Sequence, residues 1–468
     1  MHSYDLKGIT VLFPFPAYNC QLNLMKKMIS SLQSGQNALL ESPTGTGKTL
    51  CLLCATLAWK EAYVARRQLE EALLKGLKAE DGSKQELLQR LTIAVSNNPR
   101  ENFMNEPPKI FYASRTHSQL TQAVGELRNT AYRPNVCVLG SREQMCINEE
   151  VLRAPPLSRG NLCKQKISRK ACEFHNGLEN ARTHVNLNLA NTMMDIEDLV
   201  KFGQTHRACP YFLSREEIAK ADIIFLPYNY LIDPYTRKAQ GIDVKNAILI
   251  FDEGHNLESS CGEATSFEIS TTDLSVCLHE AQQCISVASS PGYVEKDASA
   301  EDFAILRALI QKFRDELLAI PLSKDNDLIK PGEFIFQLFS NISVTFDNVD
   351  SLLKVIDSAM DLIAEVSHQQ RRSTKMALNG FQTALKTVFR EGYGEKAFEM
   401  AAICKSYKVH VSSQFPTRPV RDAWGKPLEV EEARTLSFWC FNSGIAMKDL
   451  VERGARSVIL ASGTLVGS

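Results

Sequence analysis

The chain has 468 residues and a formal net charge of -1, with 44% apolar and 23% charged residues. That length predicts about two to four structural units, and the balanced charge excludes a globally basic nucleic-acid binder, so any basic surface must be local. No apolar run reaches the roughly 18 residues of a membrane-spanning helix, and the opening "MHSYDLKGIT" has no apolar signal core, so no membrane partner is expected. Thirteen cysteines without an export signal predict a reducing compartment, where clustered cysteines more often bind metal than pair as disulfides.

In chain order, continuous apolar runs predict strands at "NALLES", "KIFYAS", "NVCVLG", "DIIFLPYNYLI", "AILIFDE" and "SVILASGT". Such runs suit a parallel sheet covered on both faces, hence an α/β fold. Residues 47 to about 77 read as one long helix, followed by a polar surface insertion over 78–108. Residues 141–215 break the α/β rhythm with Cys, Lys and Arg. Residues 265–435 break it again and read as nearly all amphipathic helix, as in "EDFAILRALIQKFRDELLAI" and "VDSLLKVIDSAMDLIAEVS", with apolar residues at i, i+3, i+4 and i+7. The strand pattern resumes at "RSVILASGT", so the helical part is expected to be inserted in the α/β unit.

The stretch "SPTGTGKT" places Ser42, Pro43, Thr44, Gly45, Thr46, Gly47, Lys48 and Thr49 between an apolar strand and a helix. This is a phosphate-binding P-loop with Ser42 in place of its first glycine. Backbone N–H groups would wrap a phosphate, Lys48 would neutralise its oxygens, and the Thr49 hydroxyl would reach Mg²⁺. "AILIFDEGHN" supplies the partner acids: Asp252 at a strand end for the metal, Glu253 to polarise a water, and His255 to link the site to moving parts. Cys51 and Cys54, one turn apart on an apolar helix, read as core.

Cys146, Cys163, Cys172 and Cys209 fall within 64 residues with gaps of 16, 8 and 36. None has the close spacing of a zinc finger, whereas four thiolates on irregular loops suit a [4Fe–4S] cluster. Cys137 reads as a core residue of its strand. Arg142, Lys164, Lys166, Arg169, Lys170 and Arg207 flank the four, interleaved with Phe174, Tyr211 and Phe212. Cations for phosphates and rings for bases suit single-stranded nucleic acid; the plainer reading is a solvated basic loop.

With "FPFPAYNCQ", "YASRTHSQLTQ", "VLGSREQMC", "DIEDLV", "CPYFLSR", "ADIIFLPYNYLID", "FDEGHN", "LSFWCFNSG" and "LASGT" added in this order, the chain resembles the iron-sulfur superfamily 2 DNA helicases related to XPD. The resemblance is greatest to their telomere-maintaining branch and looser over 270–435. It implies a RecA-like motor at 1–135, 216–264 and 436–468, an iron-sulfur domain at 136–215 and a helical arch at 265–435. It further implies ATP, Mg²⁺ and a [4Fe–4S] cluster as cofactors, and 5′ to 3′ movement on single-stranded DNA in the nucleus. Telomere loops, G-quadruplexes and recombination intermediates would be the structured DNA partners. Carried over by residue, Gln21 would read adenine, Arg115, Thr116 and His117 would touch the DNA backbone, and Arg142 would contact DNA beside the cluster. Ser462, Gly463 and Thr464 would couple ATP state to DNA grip.

Two departures qualify the expectation. Gly254 stands where the family has alanine, which frees the backbone by about 0.5–1 kcal/mol and predicts weakened ATPase. The sequence stops shortly after "SGT", so the second RecA domain and its arginine finger are not in it. Such a finger is worth about 10³–10⁵ in rate, and this stretch alone is expected to bind ATP weakly and hydrolyse it poorly. The alternative class is an ATP- and single-strand-binding iron-sulfur module without motor activity; a zinc protein with an unrelated P-loop fits the ordered motifs poorly.

Overall fold

The computed structural model describes residues 1–77, 106–154, 156–182, 193–290, 298–323, 326–369, 376–390, 404–414 and 433–463. Thr464 and most of the expected polar insertion after residue 77 lie outside them. The strands are β1 (His2–Leu6), β2 (Ile9–Phe13), β3 (Ala38–Glu41), β4 (Ile110–Ser114), β5 (Val136–Val138), β6 (Ile223–Pro227), β7 (Ile248–Asp252), β8 (Phe267–Ser270), β9 (Asp327–Pro331), β10 (Tyr407–Gln414), β11 (Ala433–Cys440) and β12 (Ser457–Ser462).

Six of them form the central sheet in the order β3-β12-β7-β4-β6-β5, with every pairing parallel. Strands β4, β6 and β7 are buried at every residue, which is why they are continuous apolar runs rather than alternating ones. Ile110, Tyr112, Phe225 and Ile250 face one core with the helices Asn19–Ser34, Lys48–Leu77 and His117–Arg128. Phe111, Ile224, Leu226 and Phe251 face the other, with the helices Leu257–Thr265 and Gly444–Glu452. The expected strand "DIIFLPYNYLI" ends at Pro227, because Tyr228 turns helical and the buried Leu231 and Ile232 sit on the helix Asn229–Ile232. An apolar run by itself does not distinguish the two.

The hairpin β1–β2 was not foreseen. Its two-residue turn places Lys7 and Gly8 at φ 57° and 76°, the left-handed pair that matches strand twist. Val11 and Phe13 are fully buried.

Two segments interrupt the sheet. The cysteine-bearing one folds as short helices between β5 and β6; β5 itself pairs with β6, so residues 136–138 belong to the motor sheet rather than to the insertion. The second lies between β7 and β12. It is not nearly all helix as expected: helices Thr271–Ala288, Ala300–Ala319, Phe334–Asn341, Val349–Gln369 and Leu378–Val388 pack against an antiparallel sheet ordered β8-β11-β10-β9. In β10, Tyr407, Val409 and Val411 point into that core while Lys408 and His410 point away, a period of two. Strand β11 carries this sheet to Cys440, past the expected boundary at 435. The two insertions touch: Gln165 Nε2 donates to the Asp361 carbonyl at 3.1 Å, and Arg169 pairs with Glu365.

Candidate functional site

The P-loop, the acid pair and the Ser462–Gly463 step all lie at the carboxyl ends of adjacent strands, where open α/β sheets hold ligands. Gly45 and Gly47 have φ of 78° and 68°, which residues with a Cβ adopt only with strain. Ser42, in place of the first glycine, has no such φ. It is buried, its N–H donates to the Ser462 carbonyl at 3.0 Å, and its hydroxyl meets Thr46 Oγ1 at 2.7 Å. Thr46 in turn donates to the Pro43 carbonyl at 2.7 Å, so the serine locks the loop. Pro43, Thr44, Gly45 and Gly47 are exposed at its rim. The helix behind begins at Lys48 and has no acid in its first turn, leaving its positive end to an anion.

Lys48, 7% exposed, reaches Glu253 Oε1 at 3.4 Å. The Thr49 hydroxyl donates to Asp252 Oδ2 at 3.2 Å, and the buried Tyr112 hydroxyl donates to the same oxygen at 2.6 Å. Burial lifts the Asp252 carboxyl above its ordinary range; the Tyr112 hydrogen bond opposes this, Glu253 adds to it and Lys48 opposes it. Tyr228 donates to the Asp252 carbonyl. Sequence reasoning missed both tyrosines, since each reads as a core residue of an apolar run. Glu253 itself holds φ 58° without being glycine, strain of order 1–3 kcal/mol of the kind found at functional sites.

Gln21 is buried against the loop, where Nε2 donates to the Thr46 carbonyl at 2.9 Å and Oε1 accepts from Tyr18 N–H at 2.9 Å. His255 Nδ1 lies 2.8 Å from Ser462 Oγ and 3.3 Å from Glu253 Oε2. A Cβ on Gly463 would come within 2.8 Å of Thr44 Cγ2 and 3.7 Å of Lys48 Nζ, so that turn rests directly on the P-loop. Arg115 and Thr116 are exposed beyond β4; Thr116 caps the next helix, with Gln119 reciprocating. His117 is half-buried, its Nδ1 has no partner, and burial lowers its pKa. Asn256, which sequence reasoning passed over, accepts from Arg115 at 2.9 Å.

In the cysteine-bearing insertion, Cys163, Cys172 and Cys209 are buried and Cys146 is half-buried. Burial pushes the thiols of Cys146 and Cys163 up, and that of Cys209 to about 12. Donors aimed at the sulfurs work the other way: Asn148 N–H at Cys146, the Arg142 guanidinium at Cys163, and the N–H groups of Phe212 and Tyr211 at Cys209. Asn148 Nδ2 also lies 3.8 Å from Cys172 Sγ. The neighbouring thiols add to the rise: Cys163 and Cys172 act on Cys146, Cys172 on Cys163, and Cys163 and Cys146 on Cys209. Among the described residues no group of three or more His, Cys, Asp or Glu side chains is set to hold a single metal ion. Arg142 Nε is buried without a partner beside these sulfurs, which fits an anionic group there. Tyr211 departs from expectation. The residue is 6% exposed, with Arg142 at 4.3 Å and Arg215 at 3.3 Å from its ring centroid, so it supports the arginines and is no open platform for a base.

A P-loop facing an Asp-Glu pair across a doubly covered parallel sheet, interrupted by a thiol-bearing insertion and an arch, defines a nucleotide-binding domain of the helicase class. Residues 112–274 match the DEAD_2 family model and residues 276–443 the one described as RTEL1 helicase, ARCH domain. The chain is 40% identical to Regulator of telomere elongation helicase 1 of Bos taurus, over 99% of this chain and 40% of the relative. It is 39% identical to the Regulator of telomere elongation helicase 1 homolog of Oryza sativa subsp. japonica, over 99% of this chain and 46% of that one. A solved structure described as XPD_Helicase superposes with a TM-score of 0.51 at 17% identity, covering 96% of this chain and 59% of that one; this likeness concerns the fold. Over almost its whole length the chain is similar to these regulators of telomere elongation, and it spans less than half the length of the curated relatives it matches.

Proposed function

We propose that the chain is the ATP-binding and strand-gripping part of an ATP-dependent 5′ to 3′ DNA helicase that serves telomere maintenance, DNA repair and control of recombination in the nucleus. The observation that carries this reading is Asp252, held between Thr49 and Tyr112 at the mouth of a glycine-built P-loop. Lys48 and the loop N–H groups would bind the ATP phosphates, with Gln21 bracing the loop under the base. Mg²⁺ would be held by Thr49 and Asp252, and Glu253 would orient the attacking water. The reading assigns the motor to residues 1–138, 216–264 and 441–463, with the cysteine-bearing and arch insertions between. Arg115, Thr116, His117 and Arg142 would meet the DNA backbone, and single-stranded DNA, telomere loops, G-quadruplexes and recombination intermediates are the proposed partners.

The residues around the four thiols fit a [4Fe–4S] cluster: four sulfurs, an N–H donor aimed at each of them, and an arginine with an unused buried donor. Cys146, Cys163, Cys172 and Cys209 would hold it. Bound there, the cluster would tie together short helices that have little apolar core of their own. Arg142 would stay within reach of both the cluster and a passing phosphate.

The test is ATP binding and hydrolysis by the chain purified without oxygen, with and without single-stranded DNA, against Lys48→Ala. Binding that is lost in Lys48→Ala is expected. Hydrolysis stimulated by DNA supports the motor; binding of both ligands without hydrolysis favours the module that grips without moving. Binding of neither refutes the proposal.

A further inference from the structure

Asn256 stands between the arginine that follows β4 and the histidine that follows β7. Its Oδ1 accepts from Arg115 Nη1 at 2.9 Å, and its Nδ2 lies 2.8 Å from His255 Nε2. The side chain caps no helix: the helix that follows begins with no side-chain bond from Asn256. Its amide is shared between these two neighbours, with a longer bond from Nδ2 to the Glu253 carbonyl at 3.4 Å.

The orientation of that amide has a chemical consequence. A guanidinium only donates, so the atom that faces Arg115 must be the oxygen. The NH₂ group therefore faces His255 Nε2, and since it too only donates, Nε2 must be the unprotonated, accepting nitrogen of the ring. The ring proton is then on Nδ1, directed at Ser462 Oγ at 2.8 Å and at Glu253 Oε2 at 3.3 Å. A hydrogen fixed on one imidazole nitrogen by the partner of the other is a familiar device. Here the device runs from an exposed arginine to the carboxylate that pairs with Lys48.

We propose that Asn256 is a positioning residue: it fixes the His255 tautomer and ties Arg115 to the Glu253–Ser462 side of the nucleotide site, so that a DNA phosphate on Arg115 and a nucleotide on the P-loop sense one another through it. The inference rests on the reading of the two sites given above. By linkage the effect is reciprocal, so nucleotide affinity changes on DNA binding by the same factor as DNA affinity changes on nucleotide binding. Coupling of this kind is typically about 5- to 150-fold.

The experiment measures the affinity of a fluorescent ATP analogue for the whole chain with and without saturating oligo-dT, in wild type, Asn256→Ala and Asn256→Asp. Aspartate keeps an acceptor for Arg115 but has no donor for His255. Wild type is expected to show at least about a fivefold effect of DNA on nucleotide affinity. Both variants are expected to bring the ratio to about one while each ligand still binds singly, a pattern that general loss of structure does not give. In parallel, two-bond ¹H–¹⁵N spectra of the ¹⁵N-histidine-labelled chain read the tautomer, with the His255 signal assigned by its loss in His255→Gln. Wild type should carry the proton on Nδ1, and Asn256→Asp should move it to Nε2. An Nδ1-bare His255 in wild type overturns the inference, as does full coupling in Asn256→Asp. Absence of nucleotide binding in wild type instead overturns the functional reading itself.

Discussion

The hydroxyl of Tyr112 is the first perturbation to make. Tyr112→Phe removes one oxygen and leaves the ring, which is fully buried and packs against Phe225 at 5.3 Å. Asp252 Oδ2 loses its shorter donor, at 2.6 Å, and keeps Thr49 at 3.2 Å. A hydrogen bond to an ionised group is worth roughly 1.5–3 kcal/mol. Loss of an outer contact to a metal-binding carboxylate costs about 10- to 100-fold in metal affinity or activity, and the two figures agree. The direction is also fixed: burial already raises the Asp252 carboxyl and Tyr112 opposes that, so the variant holds its proton more tightly. The assay is binding of a fluorescent ATP analogue titrated with Mg²⁺ at several pH values. The variant should need at least about tenfold more Mg²⁺, and the defect should narrow as pH rises and the carboxyl ionises. A shift under about twofold would show that Tyr112 does not support Asp252 as argued.

Gly254→Ala should stabilise the chain by about 0.5–1 kcal/mol. Its φ is not left-handed and an added Cβ would find its nearest neighbours at 3.5–3.6 Å, an ordinary contact; a lower unfolding midpoint in urea refutes this. Glu280 is fully buried in the arch and accepts N–H bonds from Ala377 and Leu378 at 2.9 Å each. Burial raises its carboxyl from 4.5 to about 7, so the folded chain binds that proton more tightly than the unfolded one. Its contribution is full below about pH 4.5 and is lost as pH rises to about 7, on the order of 3 kcal/mol. Glu280→Gln should flatten this slope in pH-resolved unfolding, and an unchanged slope counts against it. Arg169→Glu reverses one member of the pair with Glu365 that joins the two insertions, so the contact should open. Distance measurements between spin labels on the helices Pro156–Ser168 and Val349–Gln369 would show the broadening; an unchanged distribution argues that the contact does not depend on this pair.

Much of this was visible in the sequence because it is local. Gly45, Gly47, Lys48 and Thr49 fall within five residues of sequence, and the acids at 252 and 253 end an apolar run. What sequence reasoning missed depends on which strands become neighbours. Tyr112 meets Asp252 only because β4 pairs with β7, and Asn256 meets Arg115 across the same pair of strand ends. The arch sheet was hidden because β8 and β9 are only four and five residues long, long helices separate them from each other, and β10 buries alternate residues among polar ones. Tyr211 misled because an aromatic between arginines looks alike whether its ring faces solvent or supports the guanidinium groups from below.

The position of β12 carries a consequence for how the chain is made. This strand, Ser457–Ser462, lies between β3 and β7, and its last residue holds the P-loop through the bond from Ser42 N–H to the Ser462 carbonyl. During synthesis β3 and β7 emerge long before it, and the whole arch emerges in between. Until then β3 has no neighbour in the sheet, and it and β7 present unpaired edges to the gap between them, which are prone to wrong pairing. The arch therefore folds beside an unfinished motor, and closing the sheet is a late, long-range step that slows folding. A ribosome that stalls beyond β11 would leave a nascent chain with a formed arch and a nucleotide loop still missing its neighbour.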